Sequence, residues 1–268
     1  MNNIRINILF LAILFITAYN IFPQITEQSN GGKAVKIEEI DTAMKGVKAQ
    51  DGLKWTDCAG LTIEGRGFTD TEIFYDRFPL RARETVDNNV WNLSRHSAGM
   101  AVRFITTARS ISARWKLRNN SLAMPHMPAT GVSGLDLYIK SGTQWRWMGS
   151  GRPLKFPLCE AELAKIPVSG ENEFILYLPL YNGVEQVEIG VPADADIRPA
   201  SARGRPVVFY GTSILQGGCA SRPGMAFPAM LGRRLDLPVI NLGFSGNGRM
   251  QPEVISLIAE IDASAFVL

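Results

Sequence analysis

Two histidines in 268 residues leave almost no imidazole, so a general base of that type has only two candidates, His96 and His126. Three cysteines, Cys58, Cys159 and Cys219, are too few for a disulfide-framed fold. They lie far from one another and from either histidine, so their spacing carries no metal motif. Charge of one sign is not in excess. With 28 Lys and Arg against 25 Asp and Glu, net +3, nucleic-acid binding through a broad basic face is excluded. What the chain does contain is apolar residue enough for a packed core, 46%, with 20% charged, which excludes global disorder. Its length suits one large domain or two of ordinary size.

Residues 1–24 differ from the rest. Arg5 is their one charge, and Ile8 to Ile16 is an unbroken apolar run closed by Thr17 and Ala18. The run is short of the roughly 20 apolar residues that span a bilayer. A basic start, an apolar stretch of this length and small residues after it form a secretory signal. The alternative is an uncleaved N-terminal anchor. No cysteine stands at the cleavage region, so a lipoprotein signal is excluded. The expected product is secreted or periplasmic, with 27 bases against 25 acids. Export permits disulfides. Cys58 and Cys159 share a strand-rich stretch and are placed to pair, leaving Cys219 over; the competing expectation is three buried thiols.

Residues 25–51 are polar and read as a linker with room for one short helix. From about 52 to 200 the signals are those of strands. Ile111, Ala113, Trp115 and Leu117 alternate with Ser112, Arg114 and Lys116, and Leu135, Leu137 and Ile139 with Asp136, Tyr138 and Lys140. Phe174, Leu176 and Leu178 alternate with Ile175 and Tyr177, and Val187, Ile189 and Val191 with Glu188 and Gly190. Such runs between Gly, Pro and Asn clusters predict antiparallel sheets with one face buried, a β-sandwich or jelly roll. A hairpin is expected in 140–146, turning at Ser141-Gly142.

After Pro199 the pattern changes. Val207–Tyr210 is a short apolar run that suits a buried parallel strand. Phe227, Met230, Leu231 and Leu235 recur at helical spacing. Val239–Leu242 predicts a second strand, Val254, Leu257, Ile258 and Ile261 a second helix, and Phe266–Leu268 a third strand. This β-α-β-α-β order opens a doubly wound α/β domain over 201–268, with too little core to stand comfortably alone.

Ligands of doubly wound sheets sit at the C-terminal ends of the strands. The loop after the first strand, Gly211-Thr212-Ser213-Ile214-Leu215-Gln216-Gly217-Gly218, places a serine there. The loop after the second, Gly243-Phe244-Ser245-Gly246-Asn247-Gly248, has three glycines that permit close backbone approach. A nucleophilic serine needs an exposed Oγ and nearby N–H donors for an oxyanion. Taken alone, both loops are better explained as ordinary turns, with Ser213 a cap or turn residue.

The block Tyr210–Gly218 resembles the first block of the SGNH, or GDSL-type, hydrolases, and Ile240–Gly248 resembles their second, about thirty residues on. Upstream, Gly134-Leu135-Asp136-Leu137-Tyr138 matches the GxDLY signature of the β-rich domain that precedes some of these esterases. Tyr75-Asp76-Arg77 and Trp91–Met100 are also similar to that domain. The resemblance implies a β-rich domain followed by a flavodoxin-like, three-layer α/β domain. It implies Ser213 as nucleophile, the N–H groups of Ser213 and Gly246 as oxyanion donors, and no metal or organic cofactor. The family's third donor, an Asn after the third strand, and its Asp-His base have no counterpart here. That implies a C-terminally truncated domain, inactive for want of its base. Thr212 departs from the Asp of the GDSL pattern.

His96 is expected as a satisfied structural side chain and His126 as a loop residue able to touch substrate, with Asn247 beside it. Asp136 falls on the polar face of its strand and is expected solvated or turn-bonded, with an interdomain role as the alternative. Trp91, Trp115, Trp145 and Trp147 are expected mainly as core, the alternative being a sugar-binding face. Sequons at Asn92 and Asn119 decide nothing. The resemblance points to cleavage of carboxylic esters, with acylated carbohydrate as the expected substrate and no nucleic-acid or membrane partner. The competing reading is a non-catalytic glycan-binding protein with a vestigial hydrolase domain. A nucleotide-phosphate loop is poor, because the glycines follow the second strand in GxxGxG spacing with no P-loop lysine.

Overall fold

The structure, a computed structural model, describes residues 52–268. The signal and linker expected in 1–51 lie outside the described residues. In chain order the elements are β1 Leu53–Asp57, β2 Thr62–Glu64, α1 Asn88–Ser94, β3 Ala101–Thr106, β4 Ser110–Leu117, α2 Ala129–Val132, β5 Leu135–Ser141 and β6 Gln144–Gly151. They continue as β7 Leu158–Lys165, β8 Asn172–Tyr177, β9 Val184–Pro192, β10 Ile197–Pro199, β11 Val207–Gly211, α3 Ser213–Gln216, α4 Phe227–Leu235, β12 Val239–Gly243, α5 Pro252–Ala259 and β13 Ala265–Val267.

Two antiparallel sheets form the β-rich half. One runs β1-β9-β4-β7 and the other β10-β3-β8-β5-β6, with β2 also on β3. Period-two alternation turns one face of each toward a shared core. Ile111, Ala113, Trp115, Val187 and Ile189 come from the first sheet, and Val102, Phe104, Leu135, Leu137, Phe174 and Leu176 from the second. Phe104 and Phe174 stack with centroids 5.4 Å apart. Trp115 is fully buried, and its indole N–H reaches the Ser133 carbonyl at 2.9 Å. Full burial of such side chains is worth about 1.5–3 kcal/mol each.

The second sheet is buried on both faces, contrary to the one-sided expectation. Ala101, Tyr138, Ile175 and Tyr177 form a cluster with Ala229 of α4. The Arg233 guanidinium lies over the rings of Tyr138 and Tyr177, 3.9 and 5.2 Å from their centroids. Alternation in β5 and β8 therefore separates two apolar environments rather than core from water. The β5–β6 turn is Gly142-Thr143, one residue later than expected. Ser141 pairs Gln144, and Gly142 takes φ +61°, which glycine adopts without strain.

The third sheet is parallel, in the order β12-β11-β13. Val254, Leu257 and Ile258 of α5 pack beneath it as expected. Helix α4 inverts the expectation: Phe227, Met230 and Leu235 are exposed, whereas Pro228, Ala229 and Gly232 are buried. Close approach selects small residues. A Cβ on Gly232 would lie 3.0 Å from the Leu237 carbonyl oxygen.

A helical excursion between β2 and β3 was not expected. The 3₁₀ turn Leu80–Glu84 and α1 leave the antiparallel sheets, and Phe78, Ala82, Val86, Val90 and Trp91 pack on Tyr210, Ile240, Leu242 and Phe244. Both halves thus lie in one compact unit. The three cysteines are free thiols, with Cys58 and Cys159 buried and Cys219 exposed. The Cys58–Cys159 pairing does not form, and burial of all three fails at Cys219. Among the described residues no helix is long and apolar enough to cross a membrane, and no group of three or more His, Cys, Asp or Glu could hold a metal ion.

Candidate active site

Parallel pairing of β11 with β12 sets Gly211 opposite Gly243. The two loops that follow leave the sheet side by side. The Phe244 N–H donates to the Gly211 carbonyl at 2.8 Å. A side chain on Gly248 would collide with that same carbonyl, so glycine is required there.

Ser213 opens the single turn α3, and its backbone carbonyl accepts the N–H groups of Gly217 and Gly218 at 3.0 and 2.7 Å. Gly217 has φ +115°, and a Cβ on it would lie 2.7 Å from Leu180 Cδ1. Asn241 of β12 braces the turn. Its amide donates to the Leu215 carbonyl at 2.8 Å and accepts the Gly243 N–H at 2.9 Å. Gly246 has φ +70° with open space beside it. Among the described residues, the N–H groups of Ser213 and Gly246 donate to no protein acceptor. Both N–H groups lie on loops that follow the paired strands β11 and β12, with unspent hydrogen-bonding capacity.

A cavity of about 410 Å³ adjoins the second loop, and His96, His126, Tyr181, Ser245 and Asn247 are on its wall. The two expected substrate contacts, His126 and Asn247, thus share one cavity. The Tyr181 hydroxyl bonds to the Ser213 carbonyl at 3.3 Å, which links the cavity to the serine turn. Burial pushes the Tyr181 phenol up, opposed by Ser245 and Arg77.

Gln216 was not singled out in the sequence, yet it joins the parts. It is fully buried, and its Oε1 accepts the Ser245 N–H at 2.9 Å. Its Nε2 donates to the Leu180 carbonyl at 3.0 Å and lies 3.1 Å from His96 Nδ1. Burial, then the Arg77 and Arg118 charges, holds the His96 imidazole down at about 3. Such a ring is a poor general base at neutral pH.

Arg77, buried, fixes the site from below. Nε donates to the His96 carbonyl, Nη2 to Leu93, and Nη1 to Asn241 and Gly243, at 2.9, 2.6, 3.1 and 2.7 Å. One guanidinium therefore ties α1 to β12. Asp136 departs from the solvated expectation, being fully buried. It accepts Trp147 Nε1 at 2.8 Å and pairs with Arg222 at 3.3 Å. Burial raises its carboxyl, and Arg222 leads the opposing effects. Trp147 is 51% exposed rather than core, but Arg222 lies 4.8 Å over its ring.

Residues 53–197 match the GxDLY family, the N-terminal domain of SGNH-hydrolase-type esterases, and residues 204–268 match the GDSL-like lipase/acylhydrolase family. Among solved structures, the chain is similar to a candidate GDSL-like lipase from Bacteroides ovatus, with 39% identity and a TM-score of 0.75. That match covers 80% of this chain and 63% of the other. It is also similar in fold to the salicylyl-acyltransferase SsfX3 of a tetracycline biosynthetic pathway, with 19% identity and a TM-score of 0.62, covering 81% of this chain and 62% of the other. The chain thus spans less than two thirds of either structure. No curated protein matches.

Proposed function

The chain belongs to the SGNH-hydrolase-type esterases that carry a GxDLY N-terminal domain, and from that premise we propose that it cleaves carboxylic esters through Ser213. The observation that carries this reading is the in-register pairing of Gly211 with Gly243, which aligns the Ser213 and Gly246 loops beside a cavity. Ser213 Oγ attacks the ester carbonyl carbon, and its proton passes to the base. The N–H groups of Ser213 and Gly246 receive the oxyanion. Collapse expels the alcohol with a proton and leaves an acyl-serine. Water then adds to the acyl carbon, giving up its proton, and the acid is released with Ser213 restored.

By family resemblance the base is an Asp-supported histidine. Neither His96 nor His126 takes that role in this proposal. We read 1–24 as a signal peptide, 25–51 as a linker, 52–200 as a β-sandwich or jelly roll and 201–268 as α/β of the flavodoxin-like kind. The strand order β12-β11-β13 supports the last reading. Secretion and an acylated carbohydrate substrate complete the proposal.

The test is turnover of p-nitrophenyl acetate by protein from its native source and by its Ser213→Ala variant. Loss of turnover in the variant supports the reading, and full retention rejects it. Residual rates of a true nucleophile variant are reduced by about 10³-fold or more.

A further inference from the structure

We infer that His96 presents Nε2–H to the cavity as a fixed, neutral hydrogen-bond donor, and that this donor selects an uncharged oxygen-bearing group of the ligand. The inference rests on the hydrolase reading only for what the ligand is. The donor itself follows from the hydrogen bonds.

Gln216 settles the orientation of its own amide. Oε1 must be the atom facing the Ser245 N–H, and Nε2 the atom facing the Leu180 carbonyl, because each backbone partner has only one possible role. The second N–H of Nε2 then points to His96 Nδ1, 3.1 Å away. A nitrogen that accepts carries no proton, so a neutral ring holds its proton on Nε2. His96 is on the cavity wall, and its side-chain hydrogen bond to a described residue is the one at Nδ1. The depressed basicity of the ring keeps it neutral across physiological pH. Nearby Arg77 and Arg118 act in the same direction as burial.

The rest of the wall agrees with an uncharged guest. Asn89 and Asn92 of α1, Asn247 of the second loop, Leu93 and Met124 line it, and no Asp, Glu, Lys or Arg does. No carboxylate, ammonium or guanidinium on the wall offers a charged guest a direct ion pair. Hydroxyl and carbonyl oxygens find amide and imidazole donors there instead.

These 268 residues, labelled with ¹⁵N-histidine, test this directly, because they hold two imidazoles. His126→Gln assigns them. At neutral pH the long-range ¹H–¹⁵N pattern of His96 should be that of the Nε2–H tautomer. Methyl β-glucopyranoside should shift the Nε2 signal saturably, and glucuronate at equal concentration should not. Saturation transfer to the glucoside should persist in His96→Gln, whose amide can still donate at that place, and vanish in His96→Phe. An Nδ1–H tautomer, an imidazolium, no response to the glucoside, or an equal response to glucuronate overturns the inference. Failure of a fluorophosphonate to label Ser213 would remove the esterase reading while leaving the donor intact, so the two fail separately.

Discussion

The carboxylate of Asp136 accepts the backbone N–H of Gly224 at 2.9 Å, joining β5 of the β-rich half to the 3₁₀ turn Pro223–Met225 that precedes α4. Tyr138 and Ser150 hydroxyls lie 3.2 and 3.3 Å from the same group. A Cβ on Gly224 would stand 2.6 Å from Asp136 Oδ2 and 2.5 Å from Tyr138 Cε2, so the contact requires glycine. The Asp of the GxDLY signature therefore holds the segment that follows the serine turn.

Asp136→Ala should destabilise the protein by about 3 kcal/mol, because buried donors and Arg222 lose their acceptor. Asp136→Asn, which keeps the shape, should cost less. Urea unfolding measures both. Equal midpoints for wild type and the Ala variant would show that the carboxylate holds nothing.

Arg77→Met should cost about 3 kcal/mol or more, since it strips four backbone carbonyls of their donor. Arg77→Lys should not restore the loss, because an ammonium cannot spread its donors across the same fork. Thermal unfolding of the pair decides this. Recovery by lysine would mean that charge alone matters.

His96 gives the stability a pH dependence of known sign. Its folded value lies at about 3, below the ordinary histidine value. The unfolded chain therefore binds a proton that the native chain refuses. Stability should fall as pH falls from about 6.5 toward 3, by at most about 1.4 kcal/mol per pH unit from this group. Burial raises the carboxyls of Asp76 and Asp136, which act in the opposite direction at low pH. They are common to wild type and His96→Gln, so the difference between the two slopes isolates the imidazole. Parallel slopes in denaturant titrations at several pH values would contradict the assignment.

Much of the fold was legible because periodicity reports burial. The alternation in 111–117 and 187–191 identified inward faces, and the short apolar runs at 207–210 and 239–242 identified parallel strands. Where burial was two-sided, the signal failed. Asp136 sits on the less apolar side of β5, yet that side is covered by α4 and its preceding turn. Helix α4 misled for a related reason: close packing chose Ala229 and Gly232, leaving Phe227, Met230 and Leu235 outward.

The site divided in the same way. Ser213 and Gly246 were marked by the resemblance of their loops to two family blocks, since glycine-rich turns at strand ends read alone as ordinary connections. Gln216 left no sequence signal. A buried amide that links Ser245 to His96 is defined by partners 29 and 120 residues away. Arg77 was visible only within a motif resemblance, because its four acceptors are backbone carbonyls of any residue type.

The central claim is that Ser213 is the nucleophile. Mass spectrometry of native-source protein treated with a fluorophosphonate tests it most directly. The account predicts one adduct, on the peptide bearing Ser213, that disappears in Ser213→Ala. An adduct that survives in the variant, or forms on another residue, would contradict it.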